Sequence, residues 1–169
     1  EQESQYIESV EQFEDKLIDR ILLGDEHKGN ELPWEKTYSK LRIRDGEISV
    51  VAGINGHLKS MLTGYLVLHA SLNRPVVIAS LEMKPEATLE RMVKQAHGVG
   101  DVTAQWARAW LQQMQGRMYI YDQLDTTPTD RILAMCHYSA TVLNAKLIVI
   151  DSLIKCGVGR EAYDKQADF

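Results

Sequence analysis

The spacing of apolar residues divides the chain into two parts. Over residues 4–23, apolar side chains recur every three or four positions, which predicts an amphipathic helix with Gly24 as its stop signal. The polar stretch that follows contains two glycines and a proline, as is typical of a connecting loop. We expect a linker helix with its loop at residues 1–31 and a larger domain at residues 32–169. The apolar stripe of this helix either packs on its own domain or docks on another subunit.

From Glu47 onwards, short apolar runs alternate with helical patterns. The apolar runs predict four buried strands: EISVVAG from Glu47, PVVIASLE from Pro75, MYIYD over 118–122 and KLIVID over 146–151. Buried strands separated by helices favour an α/β fold, in which a mostly parallel sheet is covered by helices on both faces. Open sheets of this kind usually have more than four strands, so we expect an incomplete domain.

Helix start signals separate the predicted strands. Helical patterns begin at Ser60 and extend over residues 85–97 and 102–115, and a last helix follows Thr127. We expect Pro85 in the first turn of its helix, Asp101 as the N-cap of the next, and Thr127 as the N-cap of the last. In that last helix, Pro128 would take the first helical position.

Composition narrows the class of protein. Charged residues make up 25% of the chain and the formal net charge is −5, which excludes a protein that binds nucleic acid over its whole surface. No apolar run approaches the ~20 residues of a membrane span, and the acidic N-terminus argues against a secretory signal. Cys136 and Cys156 form no metal-binding pattern and are interpreted as free thiols in a reducing cytosol. The scattered histidines predict no structural zinc site.

Large apolar side chains in the helices are interpreted as packing residues. Trp106 and Trp110 lie four residues apart, so we expect them in a core rather than in a base-stacking platform. Met61, Met83 and Met92 are interpreted in the same way.

The stretch GINGHLKS, from Gly53 to Ser60, nearly matches the phosphate-binding loop G-x-x-x-x-G-K-[ST], but Leu58 replaces the last glycine. Such a loop directs backbone N–H groups at an anion, the lysine adds a charge at the β and γ phosphates, and the hydroxyl ligates magnesium. A Cβ at position 58 would clash or strain the backbone by about 1–3 kcal/mol. The alternative is a tight β–α turn with a chance Lys-Ser pair. His57 is interpreted as an exposed residue without an assigned role.

Two carboxylates stand at the ends of predicted strands. Glu82 follows PVVIASL, and Asp151 ends KLIVID. Ligands in open α/β sheets bind at the carboxyl ends of strands, where Glu82 could activate a water and Asp151 could hold magnesium with Ser60. The alternatives are a solvated loop glutamate and an aspartate that caps the following turn. Together with the lysine loop, the two acids predict one phosphate-handling site.

Three segments together resemble the RecA-like motor domain of DnaB-type replicative helicases, in the phage and mitochondrial primase–helicase branch. They are DGEISVVAGINGHLKSMLTGYLVLHA, PVVIASLEMKPEATLERM and KLIVIDSL, and the SLEM segment is the most diagnostic. The resemblance runs from about Leu32 to Leu153, and LPW at its start is similar to the entry of that motor domain.

The resemblance implies an ATP-dependent helicase that moves 5′ to 3′ on single-stranded DNA, with ATP and Mg²⁺ as cofactors. Glu82 and Lys59 would be catalytic, and Ser60 and Asp151 would hold Mg²⁺, Asp151 through a water. Arg91 is interpreted as a structural or interface residue. The loop residues that would contact the nucleotide are Gly53, Ile54, Asn55, Gly56, His57, Leu58, Lys59, Ser60 and Met61.

The same resemblance implies partners. The helix at 4–23 would grip the neighbouring subunit in a homohexameric ring, and DNA would bind through segments mostly beyond residue 169. The compartment would be the cytoplasm of a bacterium or of a phage-infected host, with the mitochondrion less favoured. Because Leu58 departs from the family pattern, a nucleotide-binding assembly subunit with impaired hydrolysis stays open, as does a recombinase-like or clock-protein-like relative.

Overall fold

The computed structural model of the chain describes residues 9–23, 29–38, 40–54, 56 and 58–156. The chain divides into two compact units, Glu1–Glu47 and Ile48–Phe169. The domain boundary after residue 31 that the sequence predicts stays a prediction.

The first unit begins with the predicted amphipathic helix. A 3-10 turn, Val10–Phe13, leads into helix α1, Glu14–Leu23. Residues 4–8 of the predicted helix lie outside the described residues. The apolar stripe of this segment is exposed to solvent, with Val10 at 84% and Ile21 at 66% of their full accessible area.

A small antiparallel pair completes the first unit. Strand β1, Asn30–Glu31, pairs with strand β2, Arg42–Ile43, and the side chains of Glu31 and Arg42, which lie opposite each other, form a salt bridge. Gly29 precedes β1 with a φ of +91°, and a Cβ at this position would collide with the carbonyl of Ile43. Only glycine fits there, because it adopts positive φ without a side chain.

The second unit is built on a parallel sheet of three strands. Strands β3 (Val76–Ser80), β4 (Met118–Ile120) and β5 (Leu147–Asp151) are arranged in the order β4-β3-β5. Each outer strand pairs with β3 in parallel, and Ser80 at the end of β3 lies opposite Asp151 at the end of β5. All five residues of β3 are buried, as the continuous apolar run predicts.

Four helices cover the two faces of this sheet. They are α2 (Lys59–Ser71), α3 (Pro85–His97), α4 (Ala104–Met114) and α5 (Thr129–Thr141). Val76 and Ile78 pack with residues of α2, α3 and α4 in one apolar cluster, whereas Val77 and Ala79 pack with residues of α5 in another. The predicted α/β fold with a parallel sheet covered on both faces is therefore confirmed.

The first predicted strand is not formed, which corrects the sequence interpretation. Residues 47–53 form none of the described strands, and Ile48 and Val50 are exposed at 93% and 77%. An apolar run shows that a segment gains free energy from burial, but a strand also needs a neighbouring backbone to pair with. Strand β5 pairs only with β3 among the described strands, and no pairing joins its other edge to residues 47–53.

Two predicted helix caps are also wrong. Helix α4 is capped by Thr103, whose hydroxyl accepts from the backbone N–H of Trp106 at 3.2 Å, and not by Asp101. Helix α5 has Pro128 as its N-cap, while Thr127 is 1% exposed and donates its backbone N–H to the carbonyl of Lys155. Thr127 thus anchors the turn after β5 instead of capping a helix.

The packing predictions for the helices are largely confirmed. Trp110 and Met92 are buried, and Trp106 packs against the same cluster. Met61 is exposed, so it is not a core residue.

Both cysteines are free thiols. Cys156 is buried and Cys136 half-buried in the cluster under α5, and this burial raises the pKa of each thiol. Among the described helices, none combines the length and apolar character that a bilayer span requires.

Candidate nucleotide-binding site

The predicted phosphate loop connects the exposed segment before Gly53 to the start of α2. Of its residues, Asn55 and His57 lie outside the described part of the chain. Gly56 has a φ of +83°, and Leu58 has a φ of 59° and a ψ of 22°, which is the left-handed conformation. The chain therefore turns into α2 through two left-handed residues, the second of which is not a glycine.

The side chain of Leu58 points into solvent and does not have to fit against the protein. The residue is 64% exposed, so its penalty lies in the backbone conformation and not in a steric collision of its side chain. The left-handed conformation costs an L-residue about 1–2 kcal/mol relative to glycine. The strained backbone that the sequence predicts at this position is thus observed.

Replacing Leu58 with glycine is expected to stabilise the fold. Strain relief of about 1–2 kcal/mol exceeds the extra entropy of a glycine in the unfolded chain, about 0.4–1 kcal/mol, so the free energy of unfolding should rise by about 0.5–1 kcal/mol. Urea unfolding measures the change. Ile54→Gly is the matched control, because Ile54 is an exposed loop residue that is not among those with positive φ, and it should give no gain. A loss of stability in Leu58→Gly would contradict the strain argument.

The side chain of Lys59 folds back onto the first residues of the loop. Its ammonium donates to the carbonyls of Gly53 at 2.7 Å and Ile54 at 3.0 Å, so the charge lies against the backbone that begins the loop. The hydroxyl of Thr63 donates to the carbonyls of Lys59 and Ser60 and ties down the first turn of α2. An ammonium carries three donors, and such a charge beside a helix N-terminus favours an anion.

The two predicted carboxylates lie at the same edge of the sheet. Asp151 ends β5, and its carbonyl accepts from the backbone N–H of Leu81 at 2.7 Å, which extends the pairing of the strands by one residue. Glu82 follows directly, and its Oε1 accepts a 2.5 Å hydrogen bond from the hydroxyl of Ser152. The structure therefore brings Glu82 beside the end of β5.

A cleft of about 380 Å³, part of it open to solvent, joins Ser60 to Asp151. It lies between the sheet and helices α2 and α3, and both residues line it. Thr88 also lines the cleft, and its buried Oγ1 atom has no hydrogen-bond partner among the residues that the structure describes. The full lining comprises Ser60, Thr63, Gly64, Val67, Ile78, Ser80, Thr88, Arg91, Met92, Val149 and Asp151.

Thr88 and Ser152 are residues at the site that sequence reasoning missed, and Arg91, which the sequence analysis interprets as a structural or interface residue, also lines the cleft. Arg91 contributes a cation to the wall of the cleft, and its Nη2 donates to the sulfur of Met83 at 2.8 Å. Thr88 and Arg91 lie three residues apart on α3, so helical spacing places them on one face once that face is known to look into the cleft. Met61 does not line the cleft, although its carbonyl accepts from the side chain of Gln95 at 2.8 Å.

The donor set suits a magnesium ion that also binds phosphate. Within the described residues, no group of three or more His, Cys, Asp or Glu side chains is arranged to hold a metal ion. Mg²⁺ in nucleotide sites uses one or two protein oxygens and takes its remaining ligands from phosphates and water. The hydroxyl of Ser60 and the carboxylate of Asp151 fit this requirement.

A family model described as an AAA domain matches residues 18–168 of the chain. The chain belongs to the AAA domain family. It therefore carries a P-loop NTPase domain of the RecA/DnaB-like kind, and the α/β architecture of the second unit agrees with that core. None of the curated proteins compared with the chain matches it. Membership of the family indicates nucleotide binding and ATPase chemistry.

Proposed function

We propose that the chain is the ATP-driven motor of a ring-forming replicative DNA helicase of the DnaB type, in the phage and mitochondrial primase–helicase branch. One observation carries the proposal. The lysine loop opens α2, and Ser60 at the start of that helix shares a cleft with Asp151, next to Glu82. Phosphoryl transfer needs this combination of a cationic loop, a magnesium-binding pair and a water-orienting carboxylate.

The loop residues bind the triphosphate in this proposal. Backbone N–H groups between Gly53 and Met61 surround the phosphates, and Lys59 exchanges its carbonyl partners for phosphate oxygens. Ser60 and Asp151 would hold Mg²⁺, the aspartate through a water. Bound Mg²⁺ would neutralise charge on the phosphate oxygens.

Glu82 is the general base of the proposed reaction. Glu82 is an exposed residue of the short loop between β3 and α3, where water has access to it. A carboxylate in this position orients the attacking water and accepts its proton.

Ring assembly is assigned to the segment at 4–23. The exposed apolar side chains of its described part, among them Phe13 and Leu17, support docking on a neighbouring subunit of a homohexamer, because exposed apolar stripes are typical of interaction surfaces. Single-stranded DNA would bind through segments mostly beyond residue 169. A cytoplasmic site of action completes the proposal.

Removing the carboxylate of Asp151 tests the nucleotide site. With Asp151→Asn, we expect ATP affinity in the presence of Mg²⁺ to fall about 10-fold, since a charge-assisted contact contributes about 1.5–3 kcal/mol. Affinity measured with EDTA should not change. Calorimetric titration with and without Mg²⁺ separates the two cases, and Asp122→Asn, an exposed aspartate outside the cleft, is the control. Equal loss under both conditions would argue against the magnesium role.

Helicase activity is tested on the complete natural polypeptide. We expect it to unwind forked DNA that carries a 5′ single-stranded tail and to leave a fork with only a 3′ tail intact. Unwinding of the 3′-tailed fork alone would overturn the proposed polarity.

A second candidate function is a nucleotide-binding assembly subunit with impaired hydrolysis. The left-handed Leu58 favours it, because the strained residue lies in the loop that must surround the phosphates. Comparing ATP hydrolysis by the natural protein and Leu58→Gly separates the two. A large gain supports the impaired subunit, and equal, rapid hydrolysis eliminates it.

A further inference from the structure

The structure assigns a positioning role to Ser152, which we propose fixes the carboxylate of Glu82 for its reaction with water. This inference rests on the proposed ATPase function and adds a residue to it. Ser152 lies directly after Asp151 and outside the residues that would touch nucleotide or magnesium, so it acts through Glu82.

The contact itself is short and joins two strand ends. The hydroxyl of Ser152 donates to Oε1 of Glu82 at 2.5 Å across a sequence separation of 70 residues. Hydrogen bonds from a hydroxyl to a carboxylate are shorter and about twice as strong as those between neutral groups. It is the only hydrogen bond of the Glu82 carboxylate within the part of the chain that the structure describes.

The backbone on the glutamate side is held in place. Leu81, the residue before Glu82, donates its N–H to the carbonyl of Asp151 at 2.7 Å and accepts from the N–H of Asp125 at 2.9 Å. Leu81 is also completely buried. The base of the Glu82 side chain therefore has little freedom to move.

The backbone on the serine side is held as well. The carbonyl of Ser152 accepts from the N–H of Lys155 at 3.1 Å and from the thiol of Cys156 at 3.7 Å. Cys156 is 2% exposed and anchors this 3-10 turn in the cluster under α5. A hydroxyl fixed by such a turn holds its acceptor in one orientation.

As a chemical consequence, the two carboxylate oxygens of Glu82 have different roles. Oε1 is engaged by Ser152, which leaves Oε2 to accept a proton from the attacking water. Without the tether, an exposed glutamate samples several rotamers and presents Oε2 correctly only part of the time. A misplacement of about 1 Å in a reacting group can lower a rate by about 100-fold, and a partly populated orientation lowers it less.

Hydrolysis kinetics of the complete natural polypeptide test the inference. We expect Ser152→Ala to lower kcat by about 10-fold while KM and MgATP affinity stay unchanged. Ser152→Thr keeps a hydroxyl at the same carbon and should restore most of the rate. Ser139→Ala is the matched control, because it removes a buried hydroxyl that bonds the carbonyl of Met135 within α5 and does not line the cleft.

A second measurement does not depend on turnover. NMR relaxation of ¹³C-labelled glutamate methylenes should show a lower order parameter for Glu82 in Ser152→Ala than in the natural chain or in Ser152→Thr. In the Glu82→Gln background, Ser152→Ala should add no further loss of rate, because the residue through which it acts has gone.

The outcomes separate the inference from the function on which it rests. If Lys59→Ala impairs ATP binding but Ser152→Ala keeps the natural kcat and Glu82 order, only the positioning role is overturned. The positioning role is also overturned if KM of Ser152→Ala changes by as large a factor as kcat, or if Ser152→Thr does not restore the rate. If Lys59→Ala and the natural protein bind and hydrolyse ATP alike, the proposed function fails together with the inference.

Discussion

Replacing Lys59 with alanine is expected to weaken MgATP binding by about 100-fold. The ammonium lies against the carbonyls of Gly53 and Ile54, where it is held at the mouth of the loop. A charged hydrogen bond to phosphate contributes up to about 3 kcal/mol, and about 2.7 kcal/mol corresponds to a factor of 100 in affinity.

Calorimetric titration with a slowly hydrolysed ATP analogue measures this effect. Lys94→Ala is the matched control, since Lys94 is an exposed lysine of the same unit that pairs with Glu90 within α3. Such an exposed pair contributes little to stability, and we expect its loss to leave nucleotide affinity unchanged. Circular dichroism verifies that both variants are folded. Natural affinity in a folded Lys59→Ala variant would refute the phosphate-loop assignment.

The parallel sheet was predictable because its central strand β3 is buried on both faces and its outer strands are half-buried. Residues of β3 that alternate in sequence pack into opposite clusters, so its first four positions are all apolar. Such a run is difficult to confuse with a surface element. The register that then sets Ser80 beside Asp151 follows from parallel pairing, which is why two carboxylates at strand ends could be expected at one edge.

The segment before the loop shows where this reasoning stops. Residues 47–53 have the same apolar, β-branched pattern as β3, yet they are exposed and unpaired with the described strands. The pattern of apolar residues indicates how strongly the side chains of a segment favour burial. Whether the segment forms a strand depends on which strand edge lies beside it. No local signal carries that second kind of information.

The other residues at the site could not be predicted from sequence for a different reason. Thr88 is an ordinary helix residue in sequence, and Arg91 is interpreted from sequence only as a structural or interface residue. Ser152, which does not line the cleft but contacts Glu82, is one small polar residue in a turn. Their significance depends on the approach of α3 and of the β5 end to the start of α2, which is a property of tertiary packing. By contrast, Lys59, Ser60, Glu82 and Asp151 could be singled out because glycines and strand ends mark their positions.

Helix caps show the same limit on a smaller scale. Asp101 and Thr103 are both good N-cap residues, and only the backbone path decides between them. Thr103 has extended dihedral angles and a hydroxyl within reach of the Trp106 N–H, so the helix begins after it. An error of two residues in the position of the N-cap does not alter the predicted packing of the helix. A substitution intended to remove the cap would, however, be made at the wrong residue.

Replacing Glu82 with glutamine is expected to separate binding from hydrolysis. The amide has the same size and keeps an oxygen that accepts from Ser152, so the loop between β3 and α3 retains its geometry. The amide cannot take a proton from water, and loss of a general base lowers rates by about 10²–10⁴-fold. ATP affinity should stay within about twofold of the natural value, because Glu82 faces the water and not the phosphates in the proposed site.

Single-turnover hydrolysis and calorimetric titration on the same preparation measure both quantities. Glu90→Gln is the matched control, because it makes the same chemical change on an exposed carboxylate of α3 that pairs with Lys94. Its rate should equal that of the natural protein. A hydrolysis rate within a few-fold of natural in Glu82→Gln would exclude this carboxylate as the base, and another acid at the edge of the sheet would then have to activate the water. Since Asp151 is a carboxylate that lines the cleft, Asp151→Asn would in that case lose hydrolysis even where saturating Mg²⁺ restores binding.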